Sequence, residues 1–366
     1  MREEAIWVAL HKLWEESSKS GRFLRQLQSS VSGAQLWEME QAELLQRFPA
    51  VPAELWDIFC TRKKQINLSK VEAYLHQNQI HILLYNNPSY PSLLKEIHQP
   101  PALLYWKGNF APSDLNIAIV GSRKGDYYGL NTAEQLGSQL SKAQVCVVSG
   151  LARGIDAQAH RGALEGDGGT IAVQGCGIDQ IYPRENRKLA EQILAHERGC
   201  ILSEFPLGSP PIGWHFPQRN RIISGLSQGV VIVQAAVKSG AFITVETALE
   251  QGRDVFAVPG QINNPLSAGP NRFLQEGARL ITSGADVLDE YGRKSLFTAA
   301  DTQAATMALT KEENQVLQYV TAEPLTIEEL AYLSRLSMAE LMPILSMLEL
   351  YGLIQQIIGR KYIRVG

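Results

Sequence analysis

Residues 116–156 read NIAIVGSRKGDYYGLNTAEQLGSQLSKAQVCVVSGLARGID. Two short apolar, β-branched runs, NIAIV (116–120) and VCVV (145–148), bracket an amphipathic stretch, NTAEQLGSQLSKA. Runs that are apolar throughout, without alternation, are buried on both faces, the condition of strands in a parallel sheet covered by helices. Parallel neighbours need a crossover, and the amphipathic stretch has the length and period to supply it. The unit is strand, helix, strand.

The same texture continues outward. TIAV (170–173), CILS (200–203), VVIV (230–233), DVFAV (254–258) and ARLI (278–281) read as further strands, with RKLAEQILAHE and VETALEQG as helices between them. The fold class is α/β, with a Rossmann-like parallel sheet domain over residues 79–295. Upstream, over residues 1–78, IWVALHKLW, AELLQRF and AELWDIF carry helical apolar spacing broken by Ser, Gly and Pro. This small N-terminal helical domain is of sterile-alpha or helix-hairpin-helix type, or a plain structural cap. A Pro-rich connection, NNPSYPSLLKEIHQPPALLYWKGN, leads into the sheet. Residues 296–308 read as a linker. Over residues 309–366, Thr310/Glu313, Thr326/Glu329 and Ser337/Glu340 are spaced as three capping boxes, each opening an apolar-periodic helix. LIQQIIGRKYIRV then gives two strands around Gly359-Arg360, so the tail is a C-terminal winged-helix domain.

Composition bounds what such a chain does. At 366 residues it is too long for one ordinary core. The net charge of −3 excludes a wholesale basic coat for nucleic acid but leaves room for a local basic cleft. Cys60, Cys146, Cys176 and Cys200 have no metal-ligand spacing and are expected as free thiols in a reducing compartment. The start, MREEAIWVALHKLWEE, is too acidic for a signal peptide, and no run approaches the ~18 apolar residues of a membrane span. A cytoplasmic protein with no membrane association is expected.

In open parallel sheets ligands bind beyond the carboxyl ends of the strands. There this sequence places GSRKGDYYG, SGLARGID, QGCGIDQIYPREN, EFPLGSPPIGWHFPQRNR, QAAVKSGAFIT and PGQINNPLSAGPNR. Glycines let backbone approach an anion, helix N-termini point N–H groups at it, and arginine adds a forked donor. Loop after loop of this kind makes an extended anionic groove. Each loop alone has a plainer reading. Gly121, Ser122 and Arg123 are a phosphate turn or a tight βα turn. Gly150 and Arg153 belong to a binding loop or to a turn that Asp156 closes as an N-cap; Asp156 and His160, four apart, form a local hydrogen bond rather than a catalytic pair. Ser239, Gly240 and Thr244 bind an anion or simply start a helix. HFPQRNRIISGLSQG (215–229) reads as a crowded basic turn in which Arg219 and Arg221 meet a ligand or form ion pairs.

Chemistry is less well supplied. The first βα turn lacks G-x-G-x-x-G, and the second strand ends in Ser149 instead of a ribose-binding acid, which disfavours a dinucleotide. No Walker-type loop and no Ser/His/Asp or Cys/His constellation is present. Glu204 is a lone carboxylate at a strand end. A nucleoside-phosphate hydrolase of the lysine-decarboxylase-like group would carry PGGxGTxxE, and SGAFITVETALEQG lacks its paired glycines and matching acid. No catalytic residue, metal or cofactor is expected.

GSR (121–123), SGLARGIDAQAH (149–160), FPQRNRIISGLS (216–227), SGAFITVETALEQGR (239–253) and VPG (258–260), in this order, resemble the DprA/Smf family of bacterial DNA-processing proteins. PSYPSLLKEIHQPPALLYWKGN is similar too, and the resemblance covers about 80–285. It implies a protein, not an enzyme, that binds single-stranded DNA without sequence preference during natural transformation and recombination. Such a protein protects incoming DNA and helps load the RecA recombinase, often as a homodimer. Carried over by position, Gly121, Ser122 and Arg123 match the phosphate-binding turn, and Phe216 an aromatic that contacts a base. Arg219, Asn220 and Arg221 match the loop shaping the groove, and Arg184 a basic residue reaching the backbone. Two departures touch the groove. SGAFITVETA has Phe242, Val245 and Glu246 where smaller or less acidic residues are usual, which implies a different wall. PPIGWHFPQ has no lysine close before Phe216 to act as a second phosphate clamp. The tail sets five Lys/Arg against seven Glu, and its third helix, MAELMPILSMLELYG, offers no basic residue to a DNA groove. Its partner is DNA through the GRKYIR wing, or a protein.

Overall fold

The computed structural model describes residues 2–15, 17, 20–110, 113–293, 309–321, 324–351, 353–357 and 361–364. The linker expected at 296–308 and the Gly359-Arg360 turn lie outside them. Contacts divide the chain into two compact units, Met1–Gly125 with Thr132–Ser295, and Asp126–Asn131 with Leu296–Gly366.

The first unit opens with α1 (Arg2–Leu13), α2 (Ser20–Gln28), α3 (Gly33–Glu38), α4 (Gln41–Arg47), α5 (Ala53–Lys63) and α6 (Leu68–Gln77). Then come β1 (His81–Leu84), α7 (Ser92–Lys95), β2 (Leu103–Gly108), β3 (Asn116–Val120) and α8 (Tyr127–Lys142), of which the part from Thr132 belongs to this unit. β4 (Cys146–Ser149), α9 (Ile155–Ala163), β5 (Thr170–Gln174), a short 3₁₀ turn at Arg184–Asn186, α10 (Arg187–Ala195) and β6 (Gly199–Ser203) follow. The unit ends with α11 (His215–Gly225), β7 (Gly229–Ile232), α12 (Gly240–Glu250), β8 (Asp254–Ala257), α13 (Ala268–Gln275), β9 (Arg279–Leu280) and α14 (Gly284–Glu290).

All seven strands expected from the sequence are present within a residue of their expected bounds. They form one parallel array inside a nine-stranded sheet ordered β1-β2-β6-β5-β4-β3-β7-β8-β9. β2 joins β6 antiparallel, with Tyr105 opposite Ser203, and β1 joins β2 antiparallel. These two strands were not expected: β2 lies inside the stretch read as a Pro-rich connection. Its pairing partner is distant in sequence, and the neighbouring Pro100-Pro101 masks a short apolar run.

β3, β4, β5 and β6 are buried at every residue, as strands covered on both faces must be. Alternate residues serve opposite faces. Leu103, Tyr105, Ala172 and Ile201 join one core cluster, and Leu104, Ile171, Val173, Cys200 and Leu202 the other. The first cluster is continuous with Trp7, Trp14, Phe23, Trp56 and Phe59 of the leading helices, so these helices share the core of the sheet. His11 Nδ1 meets the Tyr105 hydroxyl at 2.8 Å and Gln28 Nε2 donates to Ala102 O at 3.1 Å, sealing that junction with polar contacts.

In the second unit α15 (Lys311–Leu317), β10 (Leu325–Thr326), α16 (Ile327–Ser334), α17 (Met338–Leu350), β11 (Ile354–Ile357) and β12 (Lys361–Arg364) make a winged helix with sheet order β10-β12-β11. All three expected capping boxes are formed, at Thr310/Glu313, Thr326/Glu329 and Ser337/Glu340. Cys146, Cys176 and Cys200 are buried free thiols and Cys60 is half-buried; burial pushes the Cys146 and Cys176 thiols up to about 12. Among the described residues no helix is long and apolar enough to cross a membrane, and no cluster of His, Cys, Asp and Glu could hold a metal ion.

Candidate nucleic-acid interface

The strand order reverses at β3. From there the chain runs outward through β4, β5 and β6, then returns to β7 on the other side. Such a switch point opens a crevice beyond the carboxyl ends of the two strands. A cavity of about 510 Å³ lies there, lined by Gly121, Ser122, Arg123, Phe216, Asn220, Ser239, Gly240 and Thr244 among others.

One wall is the turn after β3. Ser122 N donates to Gln234 O at 2.6 Å, beyond β7, and Ser122 O accepts from Ile155 N at 3.2 Å, at the start of α9. A side chain at Gly121 would meet Ile155 at 2.5 Å. The turn is therefore clamped, and the exposed Arg123 leaves it with its guanidinium 5.2 Å from the centre of the Phe216 ring. That distance suits a cation over an aromatic face. Phe216 is half-buried, leans on Tyr182 at 5.4 Å and lies against Gly175, where a Cβ would come within 2.9 Å of the ring.

The opposite wall is the N-terminus of α12. Ser239 is its N-cap and accepts from Phe242 N at 3.3 Å, while Thr244 Oγ1 donates to Gly240 O at 2.9 Å. A Cβ at Gly240 would meet nothing within 4 Å, so this backbone faces open space. The unusual residues at Phe242 and Val245 do not alter this wall. Both are buried, Phe242 against Phe273 at 4.5 Å, and only Glu246 is exposed.

HFPQRNR is not a turn but the first two turns of α11. Pro217 falls in the first turn, where its missing N–H costs nothing. Helical phase separates Arg219, Asn220 and Arg221. Arg219 is 3% exposed and points inward. Its Nη1 donates to Gly150 O at 2.6 Å and to Val173 O, and its Nε to Asn220 Oδ1 at 3.2 Å. Asn220 Nδ2 then reaches Gly240 O at 3.2 Å. Burial lowers Arg219 to about 10, opposed by the nearby Asp156 carboxylate. Arg221 leaves on another flank and pairs with Glu204 at 2.5 Å, both side chains about 15% exposed. That ion pair accounts for the carboxylate at the end of β6.

The loop after β4 is held from below. Asp156 is not the N-cap of α9; Gly154 is, and Asp156 sits in the first turn and accepts from Gly150 N at 3.1 Å. Burial pushes its carboxyl up, and the Arg219 charge opposes this. His160 Nε2 accepts from Leu151 N at 3.3 Å, and Nδ1 lies 2.7 Å from Thr170 Oγ1. An accepting Nε2 places the proton on Nδ1, which donates to Thr170; Thr170 in turn donates to Val147 O at 2.6 Å. Burial holds His160 near 3, hence neutral. Asn186 Nδ2 donates to Leu151 O at 2.9 Å, so in YPREN the asparagine anchors the loop while Arg184 is exposed. Arg153 is exposed and pairs with Glu185. Asp156, His160, Asn186 and Tyr182 complete the site from positions the sequence reading gave other roles or none.

A family model described as DNA recombination-mediator protein A matches residues 81–292, all the loops of this groove. The chain belongs to the DprA family. A second family model, the DprA winged helix domain, matches residues 300–360. The DNA processing protein DprA of Bacillus subtilis (strain 168) is 41% identical over 231 residues, 63% of this chain and 77% of the relative. The X-ray structure of DprA from Streptococcus pneumoniae is similar with a TM-score of 0.65 at 36% identity, over 78% of this chain and 97% of that one. The Helicobacter pylori DNA processing protein A, solved for its single-stranded DNA binding mode, has a TM-score of 0.52 at 31% identity, over 58% and 95%. Family membership and the α/β fold with a winged helix agree with the resemblance seen in the sequence.

Proposed function

We propose that the crevice between β3 and β7 binds single-stranded DNA without sequence preference, in the cytoplasm. In this reading the protein, as a homodimer, protects incoming DNA and helps load the RecA recombinase during transformation and recombination, without itself catalysing a reaction. The observation that carries the first part is Arg123 over the Phe216 face, opposite the N-terminus of α12. A cation, an aromatic surface and helix N–H groups are what sequence-tolerant single-strand sites combine. Gly121, Ser122, Arg123, Ser239 and Gly240 would hold phosphates, Phe216 a base, and Arg153 and Arg184 the backbone further along. Gly150, Arg219, Asn220 and Thr244 would shape the groove from beneath. The Helicobacter pylori relative supports the ligand, and the family's description as a recombination mediator supports delivery to a recombinase.

The test is a salt titration with single-stranded and duplex oligonucleotides. Single strands should bind more tightly, and about four phosphate contacts should give a slope of log affinity on log salt near −3, from roughly −0.7 per contact. Arg123→Ala should weaken binding for every sequence and reduce the slope by about 0.7. Unchanged single-strand affinity in that variant would remove the groove from the reading.

A further inference from the structure

We propose that a strand held in the groove continues across α11 to a second base-stacking station at Trp214. The proposal rests on the single-strand reading of the first cavity and extends it to a surface nearer the leading helices.

Trp214 is 62% exposed, although a ring of that size buried elsewhere would contribute strongly to the core. It is not loose. Its ring meets His215 edge to face at 4.2 Å, and His215 stacks on Phe205 at 3.9 Å. The helix that follows divides two cavities. Phe216, Pro217 and Asn220 line the first. Trp214, Gln218 and Arg221, spaced i, i+4 and i+7 along the other flank, line a second of about 390 Å³. The start of α11 is thus a ridge with an aromatic ring on each slope.

The charges of the second cavity suit a backbone. Its carboxylates are already engaged, Glu204 by Arg221 at 2.5 Å and Glu15 by Lys12 at 2.5 Å and by the Ser209 hydroxyl. Arg22, on α2, is exposed with no ion pair among the described residues, and the imidazole of His98 shares the same rim. An exposed indole and the Arg22 guanidinium, lining one cavity, supply the same two kinds of group as Phe216 and Arg123. Base–aromatic stacking tolerates any sequence because every base has a π-face.

The experiment measures binding of a thymidine oligonucleotide of about four residues and one of about twelve, spanning the site sizes usual for single-strand folds. The wild-type protein, Trp214→Ala and Trp214→Phe are compared, with tryptophan quenching recorded alongside. Trp214→Ala should lose roughly tenfold or more affinity for the long strand and none for the short one. Trp214→Phe should keep most of the long-strand affinity while losing part of the quench. Wild-type affinity of Trp214→Ala for the long strand overturns the proposal. So does an equal loss at both lengths, which would mean a damaged α11 instead of a second station. If the wild type binds neither strand, the single-strand reading itself falls, and this station with it.

Discussion

Within Arg219-Asn220-Arg221 three adjacent polar side chains do three different things, because a helix turns each by about 100° from the last. Arg219 lies under the β4 and β5 loops with its donors on Gly150 O, Val173 O and Asn220. Sequence showed that the arginines belonged at this sheet edge. It could not show their phase, since Phe-Pro before them reads as a turn, and phase decides which one is buried. The distinction is measurable. Arg219→Ala removes the donor on two carbonyls and takes from buried Asp156 the larger of the two cationic charges acting on it, the other being Arg123, at a cost of about 2–4 kcal/mol of stability. Urea denaturation should show that loss. Phe216→Ala should instead reduce single-strand affinity by about 1–3 kcal/mol, by fluorescence anisotropy, with a smaller effect on the urea midpoint. Arg219→Ala with wild-type stability and abolished binding would recast Arg219 as a ligand contact.

At the scale of elements, the strands were legible and their partners less so. Four-residue runs such as IAIV and VVIV are apolar throughout, and a fully buried parallel strand favours that in its sequence. β1 and β2 extend the sheet by antiparallel pairing, a tertiary fact that no local pattern carries. Glycine in the βα loops was legible as a class but not by role. Gly154 caps α9 at φ 75°, and a Cβ there would stand 2.3 Å from Ser122 O, so it joins two loops of the groove by close backbone approach. Gly240 opens α12 with clear space around its Cα. Gly154→Ala should therefore destabilise the protein by about 1–3 kcal/mol through strain and clash. Gly240→Ala should leave the thermal midpoint at or slightly above wild type, since the helix gains a better former, while weakening single-strand binding by crowding the N–H groups of α12. Paired thermal melts and anisotropy titrations check both. A Gly240→Ala protein that melts early and binds normally would reverse the two roles.

For the first unit as a whole, the leading helices share the core cluster on one face of the sheet, and the buried histidines sit at points that tie its parts together. His11 joins α1 to β2 through Tyr105, and His160 holds the β4 loop against β5 through Leu151 N and Thr170. Burial lowers His11 to about 4 and His160 to about 3, and lowers His215 in the same sense. The unfolded chain binds a proton at each near pH 6.5, whereas the native state refuses it until far lower. Unfolded protein thus carries more bound protons throughout that window, so stability rises with pH across it. The contribution is complete above about pH 6.5 and is lost as pH falls, by about 2 kcal/mol for each fully buried histidine between pH 6.5 and 5. The urea midpoint should fall steadily from pH 7.5 to 5. In a His11→Gln, His160→Gln double variant it should start lower at pH 7.5, because both hydrogen-bond pairs are weakened, and then change much less with pH. A double variant as steep as the wild type would show that protons are taken up elsewhere, and that these two imidazoles are not what makes the joined core sensitive to acid.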